Sequence, residues 1–327
     1  MRRIVSIFCV AVLFLASYEV SAEDRPLKKV TFLPQWAPQA QFAGYYAALD
    51  KGIYQKYGLD VTILDGGPEQ FAWDYLADHK ADFVIMQLFA AIQEWDQGAA
   101  IVNIAQIIQE TGVMFVAKKT SGIREPADML NRKVGLWDGH AQPIAFLKKY
   151  NLKVEIIPQT YSVNLFLRDG VDVASAMSYN EYHTIINSGY DPDELTTFLF
   201  SEHGLNFPED GIYTLEETFR KDPALCADFV AASLEGWEYA FEHPEEAVDI
   251  VLKYMEKGHL PANRMHQMWM LKKVEELILV DGPGRLTGGL KPDALREVAE
   301  EMKKNGMIEK IPDYGTFYKK PDIHAAK

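Results

Sequence analysis

Four short stretches of the 327-residue chain carry side chains suited to holding or transforming a small molecule. In the first, Trp36 stands with Gln39, Gln41 and Tyr45. An indole face beside amide groups suits a flat ring with hydrogen-bonding edges, and the alternative role of Trp36 is core packing. The second is Ile85-Met86-Gln87-Leu88-Phe89-Ala90, which offers an amide but no amine, imidazole or thiol. The third is Asp138-Gly139-His140-Ala141-Gln142. Free N–H groups at such a strand-to-helix turn attract anions, but Asp138 puts a negative charge there and disfavours phosphate. Its alternative role is a helix N-cap. The fourth is Tyr179-Asn180-Glu181, where a carboxylate can accept N–H bonds from the amino edge of an aminopyrimidine. The alternative there is a helix start, with Asn180 capping and Glu181 on the dipole.

Other chemistries lack their residues. The eight histidines are scattered, with no His-x-x-x-His or Cys-x-x-Cys pair, so no metal site is expected. There is no Gly-x-Ser-x-Gly elbow and no Walker loop. Gly282 to Gly289 has glycines at nearly dinucleotide-loop spacing, but it follows a helix and reads as a turn. Cys226 and the stripe Met265, Met268, Trp269 and Leu271 lie on helical apolar patterns and are expected in the core.

The elements that must position these groups alternate between strand and helix. Lys29–Leu33, Leu59–Leu64 and Ala81–Ile85 read as strands, with helices over Phe42–Leu49 and Glu69–Ala77 between them. Alternation of this kind predicts parallel pairing, because parallel neighbours need a crossover. The unit recurs at Lys133–Trp137, Val154–Ile157 and Val171–Ala176, so two similar α/β lobes are expected. Trp36 and Tyr179 then fall just past the carboxyl ends of strands, where open α/β sheets bind ligands. Beyond about residue 215 long helical periodicities take over, punctuated by Pro223, Pro244, Pro261 and Pro292. They predict a helical coat returning over the first lobe, with an irregular tail from Ile311.

The first residues set an address. Arg2 and Arg3, the apolar run Ile4 to Ala16 and the small residues of Val20-Ser21-Ala22 form a secretory signal. The apolar run is shorter than the ~20 residues that span a bilayer, and Phe8 before Cys9 is too bulky for a lipoprotein signal. The chain left after Ala22 holds 31 basic and 46 acidic residues, a net charge of −15. That balance repels nucleic acid and anionic lipid. Only Cys226 remains, so the core and not a disulfide must hold the fold.

The stretch from Leu33 to Val61 resembles the opening of the NMT1/THI5-like solute-binding proteins, relatives of the nitrate, sulfonate and taurine receptors of ABC importers. Trp36, Pro38, Tyr45, Tyr46, Lys51, Gly52, Tyr54, Gly58, Leu59, Asp60 and Val61 carry the resemblance, followed by Ala81-Asp82-Phe83 and by Asp172 with Tyr179-Asn180-Glu181. It implies an α/β type II periplasmic-binding-protein fold, two lobes with a hinged ligand cleft. The expected segments are a signal at 1–22, lobe one at 23–115 and 210–327, and lobe two at 116–209. The implied ligand contacts are Trp36, Gln41, Tyr45, Gln87, Asp138, Tyr179, Asn180 and Glu181, with no cofactor, no metal and no catalytic residue. The implied setting is the periplasm, with a small heterocycle such as a thiamine-pyrimidine precursor as ligand and a membrane permease as partner to a monomer. Riboflavin-like or sulfonate ligands, and a sensory role beside a membrane kinase, remain open. The family also has a fungal branch that synthesises the thiamine pyrimidine from pyridoxal phosphate, using a lysine and a histidine four residues apart and a cysteine-rich loop. By the resemblance Met86 and Ala90 stand at those two positions, and Ser201–Gly211 has no cysteine. Met86 has no amine for a Schiff base and Ala90 no imidazole to transfer protons.

Intact-mass analysis of the exported protein checks the address. The expected mature chain begins near Glu23, and a lipidated Cys9 is not expected.

Overall fold

The computed structural model describes residues 26–280, 282 and 286–323. The expected signal segment lies outside the described residues. Ten strands form two five-stranded sheets. The strands are β1 (Lys28–Leu33), β2 (Leu59–Ile63), β3 (Phe83–Gln87), β4 (Ile101–Gln106), β5 (Val113–Lys118), β6 (Lys133–Leu136), β7 (Glu155–Pro158), β8 (Val173–Met177), β9 (Leu195–Leu199) and β10 (Asp210–Leu215).

The first sheet has the order β2-β1-β3-β10-β4 and the second β7-β6-β8-β5-β9. Parallel pairing holds where helices separate the strands, as between β1, β2 and β3 and between β6, β7 and β8. The expectation of parallel sheets fails at the two strands next to the inter-lobe crossings. β10 is antiparallel to β3 and β4, and β5 is antiparallel to β8 and β9. Each is laid down by a chain that has just crossed from the other lobe, so it enters its sheet from the cleft end and runs the opposite way. The chain changes sheets between Gln106 and Val113 and returns between Leu199 and Asp210. A boundary at 115/116 therefore falls inside β5, whose partners all belong to the second sheet.

β3 and β10 are buried along their whole length, because both faces are covered. The coat consists mainly of the helices Pro223–Glu242, Pro244–Lys257 and Arg264–Ile278. Asp222 caps the first by accepting from the Leu225 N–H, with Pro223 in the first turn. Asn263 caps the third by accepting from the His266 N–H. Cys226 is buried beneath the coat, as its pattern predicts. The coat is not confined to lobe one: the helix Pro292–Lys304 packs on both Leu88–Asp96 of lobe one and Ala141–Lys149 of lobe two. The tail is ordered enough to bury Phe317 and to pair Tyr318 with Asn103.

The closest packing is between Ala43–Asp50 and Pro223–Glu242, at two glycines. A Cβ on Gly44 would lie 2.3 Å from the Trp237 ring, and one on Gly236 would lie 2.2 Å from the Gly44 carbonyl oxygen. Alanine gains about 1 kcal/mol over glycine in a helix, but here the helices would have to part, a cost of about 1–3 kcal/mol. Gly236→Ala is therefore expected to lower the urea midpoint of the protein despite its better helix propensity.

Candidate functional site

The carboxyl ends of β1 and β3 in lobe one face those of β6, β7 and β8 in lobe two. The β1 end is a turn that must stay tight. A Cβ on Gly66 would lie 2.3 Å from the Pro34 carbonyl oxygen and 2.4 Å from that of Trp36, so only glycine lets the loop after β2 support it. The half-buried Trp36 meets Tyr161 of lobe two edge to face, with 6.1 Å between ring centroids. Tyr161 lies just past β7 and is 67% exposed. The carboxyl-end rule that singles out Trp36 also points to Tyr161, but sequence reasoning missed it.

Behind this pair lie three buried carboxyl groups. Asp210 accepts from the Gln35 Nε2 and, at 2.8 Å, from the Gln41 Nε2. Gln41 Oε1 in turn accepts from Gln39 Nε2 at 2.6 Å. Glu209 accepts from the Gly112 N–H at 2.6 Å, the Tyr179 hydroxyl at 2.8 Å and the Thr111 hydroxyl at 3.2 Å. Glu181 accepts from the Met177 N–H at 2.9 Å and from Asn180 Nδ2 at 3.2 Å. Among the described residues none of the three has a lysine or arginine partner. Burial pushes Glu181 and Glu209 up to about 7. Burial and then the neighbouring charge of Glu209 push Asp210 up to about 8.

A second inter-lobe contact closes the outer side. Trp269 of the coat stacks on His183 of lobe two, centroids 4.5 Å apart, and donates its indole N–H to the Ser178 carbonyl at 3.1 Å. His266 Nδ1 lies 2.8 Å from His183 Nδ1, and His266 Nε2 lies 3.0 Å from Asn180 Oδ1. Asn180 gives its amide protons to Glu181, so its oxygen accepts and His266 Nε2 must donate. Burial and then His183 hold His266 down at about 4, so the ring is neutral and its Nδ1 accepts from His183.

The sequence-derived residues separate accordingly. Trp36 and Gln41 of the turn, Gln87 and the hinge-side Tyr179, Asn180 and Glu181 come together. Gln87 ends β3 directly opposite Asp210. Three expectations need correction. Tyr45 packs between Phe32 and Trp237 in the core of lobe one and is 1% exposed, so it reaches no ligand surface. Asp138 is exposed and is not a cap; the helix starts at Ala141 with His140 in the cap position. Of the apolar stripe, Met268 and Leu271 are core, but Met265 is 72% exposed and Trp269 lies between the lobes. Asn180 does occupy a cap position, yet its side chain serves Glu181 and His266. Met86 is buried in β3. Among the described residues no cluster of three or more metal-ligating side chains occurs, and no helix is long and apolar enough to cross a membrane. A separate cavity of about 320 Å³ opens between Gly204–Phe207 and Glu297–Lys304; its Asn206 accepts from the Thr111 N–H, one residue removed from Glu209 in the hydrogen-bond network.

The carboxyl groups set the response to pH. In the unfolded chain they ionise near 4; in the folded protein burial delays this to about 7 or 8. The folded state thus holds more protons across that window, and their contribution to stability is full below about 4 and lost as pH rises through about 8. Asp210→Asn removes one such group. Its urea stability should fall by at least about 1 kcal/mol less than wild type between pH 5 and 9, as paired denaturation curves will measure.

The profile of the family described as NMT1/THI5 like matches residues 39–247. The chain is 22% identical over 327 residues to a formylaminopyrimidine-binding protein of Halalkalibacterium halodurans, with 94% of each chain covered. It is 27% identical over 151 residues to the 4-amino-5-hydroxymethyl-2-methylpyrimidine phosphate synthase THI11 of Saccharomyces cerevisiae, covering 45% of this chain and 42% of that one. Its fold superimposes on the periplasmic aliphatic sulphonate binding protein SsuA from Escherichia coli with a TM-score of 0.70, at 14% identity, over 92% of this chain and 94% of that one. The two lobes are those of a type II periplasmic-binding-protein fold. With 209 contiguous residues under the profile and both lobes in place, the chain belongs to the NMT1/THI5-like family.

Proposed function

We propose that this protein is an exported solute-binding protein that captures a flat, nitrogen-rich, unphosphorylated heterocycle between its lobes for an ABC permease. A thiamine-pyrimidine precursor is the compound class that fits best. The observation that carries this reading is the group of three buried carboxyls that, among the described residues, have no lysine or arginine partner, near the half-buried Trp36 and the exposed Tyr161. A buried anion costs far more than it gains unless a counter-charge or several donors meet it. A ring bearing amino groups supplies donors, whereas a sulfonate or phosphate adds a further negative charge. The full-length likeness to a protein named for binding formylaminopyrimidine supports the same class.

No reaction is part of this reading. Met86 and Ala90 stand where the resemblance requires an amine and an imidazole, and Ser201–Gly211 holds no cysteine. The likeness to the yeast synthase covers 45% of the chain, and a synthase of the same name from Legionella pneumophila matches 68% of it at 23% identity, so the non-enzymatic reading rests on the residues at positions 86 and 90.

Calorimetric titration with an aminopyrimidine and with taurine tests the proposal. The aminopyrimidine should bind and taurine should not. Loss of stacking at Trp36→Ala should weaken binding about tenfold, and Glu181→Gln should weaken a ring with an exocyclic amine more than one without. Tight taurine binding with no aminopyrimidine binding would overturn the ligand class and leave the fold standing. A lysine adduct or a pyrimidine product on incubation with pyridoxal phosphate and iron would overturn the non-enzymatic reading.

A further inference from the structure

The Gln35–Gln41 turn holds three glutamines around one acid, and an amide can present either an acceptor or two donors. What fixes their direction is Asp210. It is 2% exposed, and its two oxygens face the Gln35 and Gln41 side chains. A carboxylate only accepts, so both amides must turn their NH2 groups inward. The oxygen of Gln41 then faces away from the acid, and the NH2 of Gln39 fills it at 2.6 Å, while each NH2 keeps one further N–H. The amide oxygens of Gln35 and Gln39 are left over at the half-buried end of the chain, on either side of Trp36 in sequence.

From this we infer that Asp210 is a specificity-determining positioning residue: through the relay Gln39–Gln41–Asp210–Gln35 it makes the wall beside Trp36 an array of acceptors that selects rings carrying N–H donors. The inference rests on the proposed reading of this turn as a ligand wall. It adds a residue that touches no ligand and a direction of selection, amino over carbonyl at the ring edge. Asp210 is well placed for such a role, since its backbone carbonyl also accepts from Ile107 and Ile108, which anchors the acid to the first crossing.

The device has a definite off state. A protonated Asp210 has an O–H to donate, so one glutamine must flip to receive it and turn its NH2 outward. The groups acting on Asp210 are Glu209, next to it in the chain, and the hydroxyls of Tyr45, Tyr179 and Tyr213. Burial keeps all three hydroxyls protonated, so Glu209 is the one neighbour that titrates in the same range.

The test compares two probes on the full mature chain: 4-amino-2-methylpyrimidine and its 4-oxo counterpart, which presents an acceptor at the same edge. Wild type at pH 9 should favour the amino ring by about tenfold to a hundredfold, the effect of leaving one acceptor facing another. The preference should shrink at pH 5. With Glu181→Gln as the common background, so that Glu181 neither titrates nor selects, adding Asp210→Asn, which can both donate and accept, should make the preference small and independent of pH. A merely structural role would weaken both rings equally and leave the ratio alone, and that result overturns the inference. So does a pH-dependent ratio that survives in that double variant, which would assign the effect to Glu209. Side-chain amide NMR of Gln35 and Gln41 provides a readout without any ligand. Their signals should titrate together in wild type and not in Asp210→Asn; identical behaviour in the two proteins also overturns it. If neither ring binds wild type while the amides titrate as expected, the relay stands and the ligand reading fails instead.

Discussion

One carboxylate holds the two lobes in register. Glu209 lies at the end of the returning crossing, yet its acceptors are filled by the Gly112 N–H and Thr111 hydroxyl of the outgoing crossing and by the Tyr179 hydroxyl of lobe two. Both chains that link the lobes, and one lobe itself, meet at a single side chain that is 2% exposed. Gln106 repeats the tie beneath it, donating to the Ile108 and Glu209 carbonyls at 3.0 and 2.9 Å. Packing leaves no room for slack: a Cβ on Gly112 would lie 3.0 Å from the Tyr179 ring. The position of every residue proposed to meet the ligand is set by how the sheets turn about this point.

The same carboxylate creates the electrostatic problem that gives the site its character. Glu209 stands next to Asp210 and acts on Glu181, so three acids share a poorly solvated region with only neutral donors. Such a cluster is expensive for the empty fold and becomes less so when a donor-rich molecule arrives. In the proposed reading, affinity for N–H groups and the cost of keeping the acids buried are two sides of one arrangement.

Local patterns made most of the fold legible. The helix Pro244–Lys257 begins at its proline, and Pro292–Lys304 ends one residue before Asn305, where periodicity predicts. β1, β2 and β7 lie within a residue or two of their expected bounds. Long-range pairing was not legible. Nothing in the sequence of Asp210–Leu215 says that it inserts antiparallel between β3 and β4, and without that insertion Glu209 and Asp210 read as ordinary surface acids. Tyr45 misled for the opposite reason, since it shares its motif with Trp36 but points along a helix face that packs on Trp237. Trp269 and Met265 misled because a helical apolar stripe reads the same whether it covers its own lobe or reaches the other.

The inter-lobe contacts differ in how readily they break. Trp36 and Tyr161 meet edge to face at 6.1 Å, so a ring cannot lie flat between them until the lobes part on that side. On the outer side the lobes are held by neutral bonds, His183 to His266 and Trp269 to the Ser178 carbonyl, in half-buried positions that water can reach. Neutral hydrogen bonds of this kind contribute about 1 kcal/mol each. At the inner side the Glu209 bonds are buried and charge-assisted, and opening any one of them strands an acid in the core. The bonds between the lobes are thus weakest at the histidine pair and strongest about Glu209.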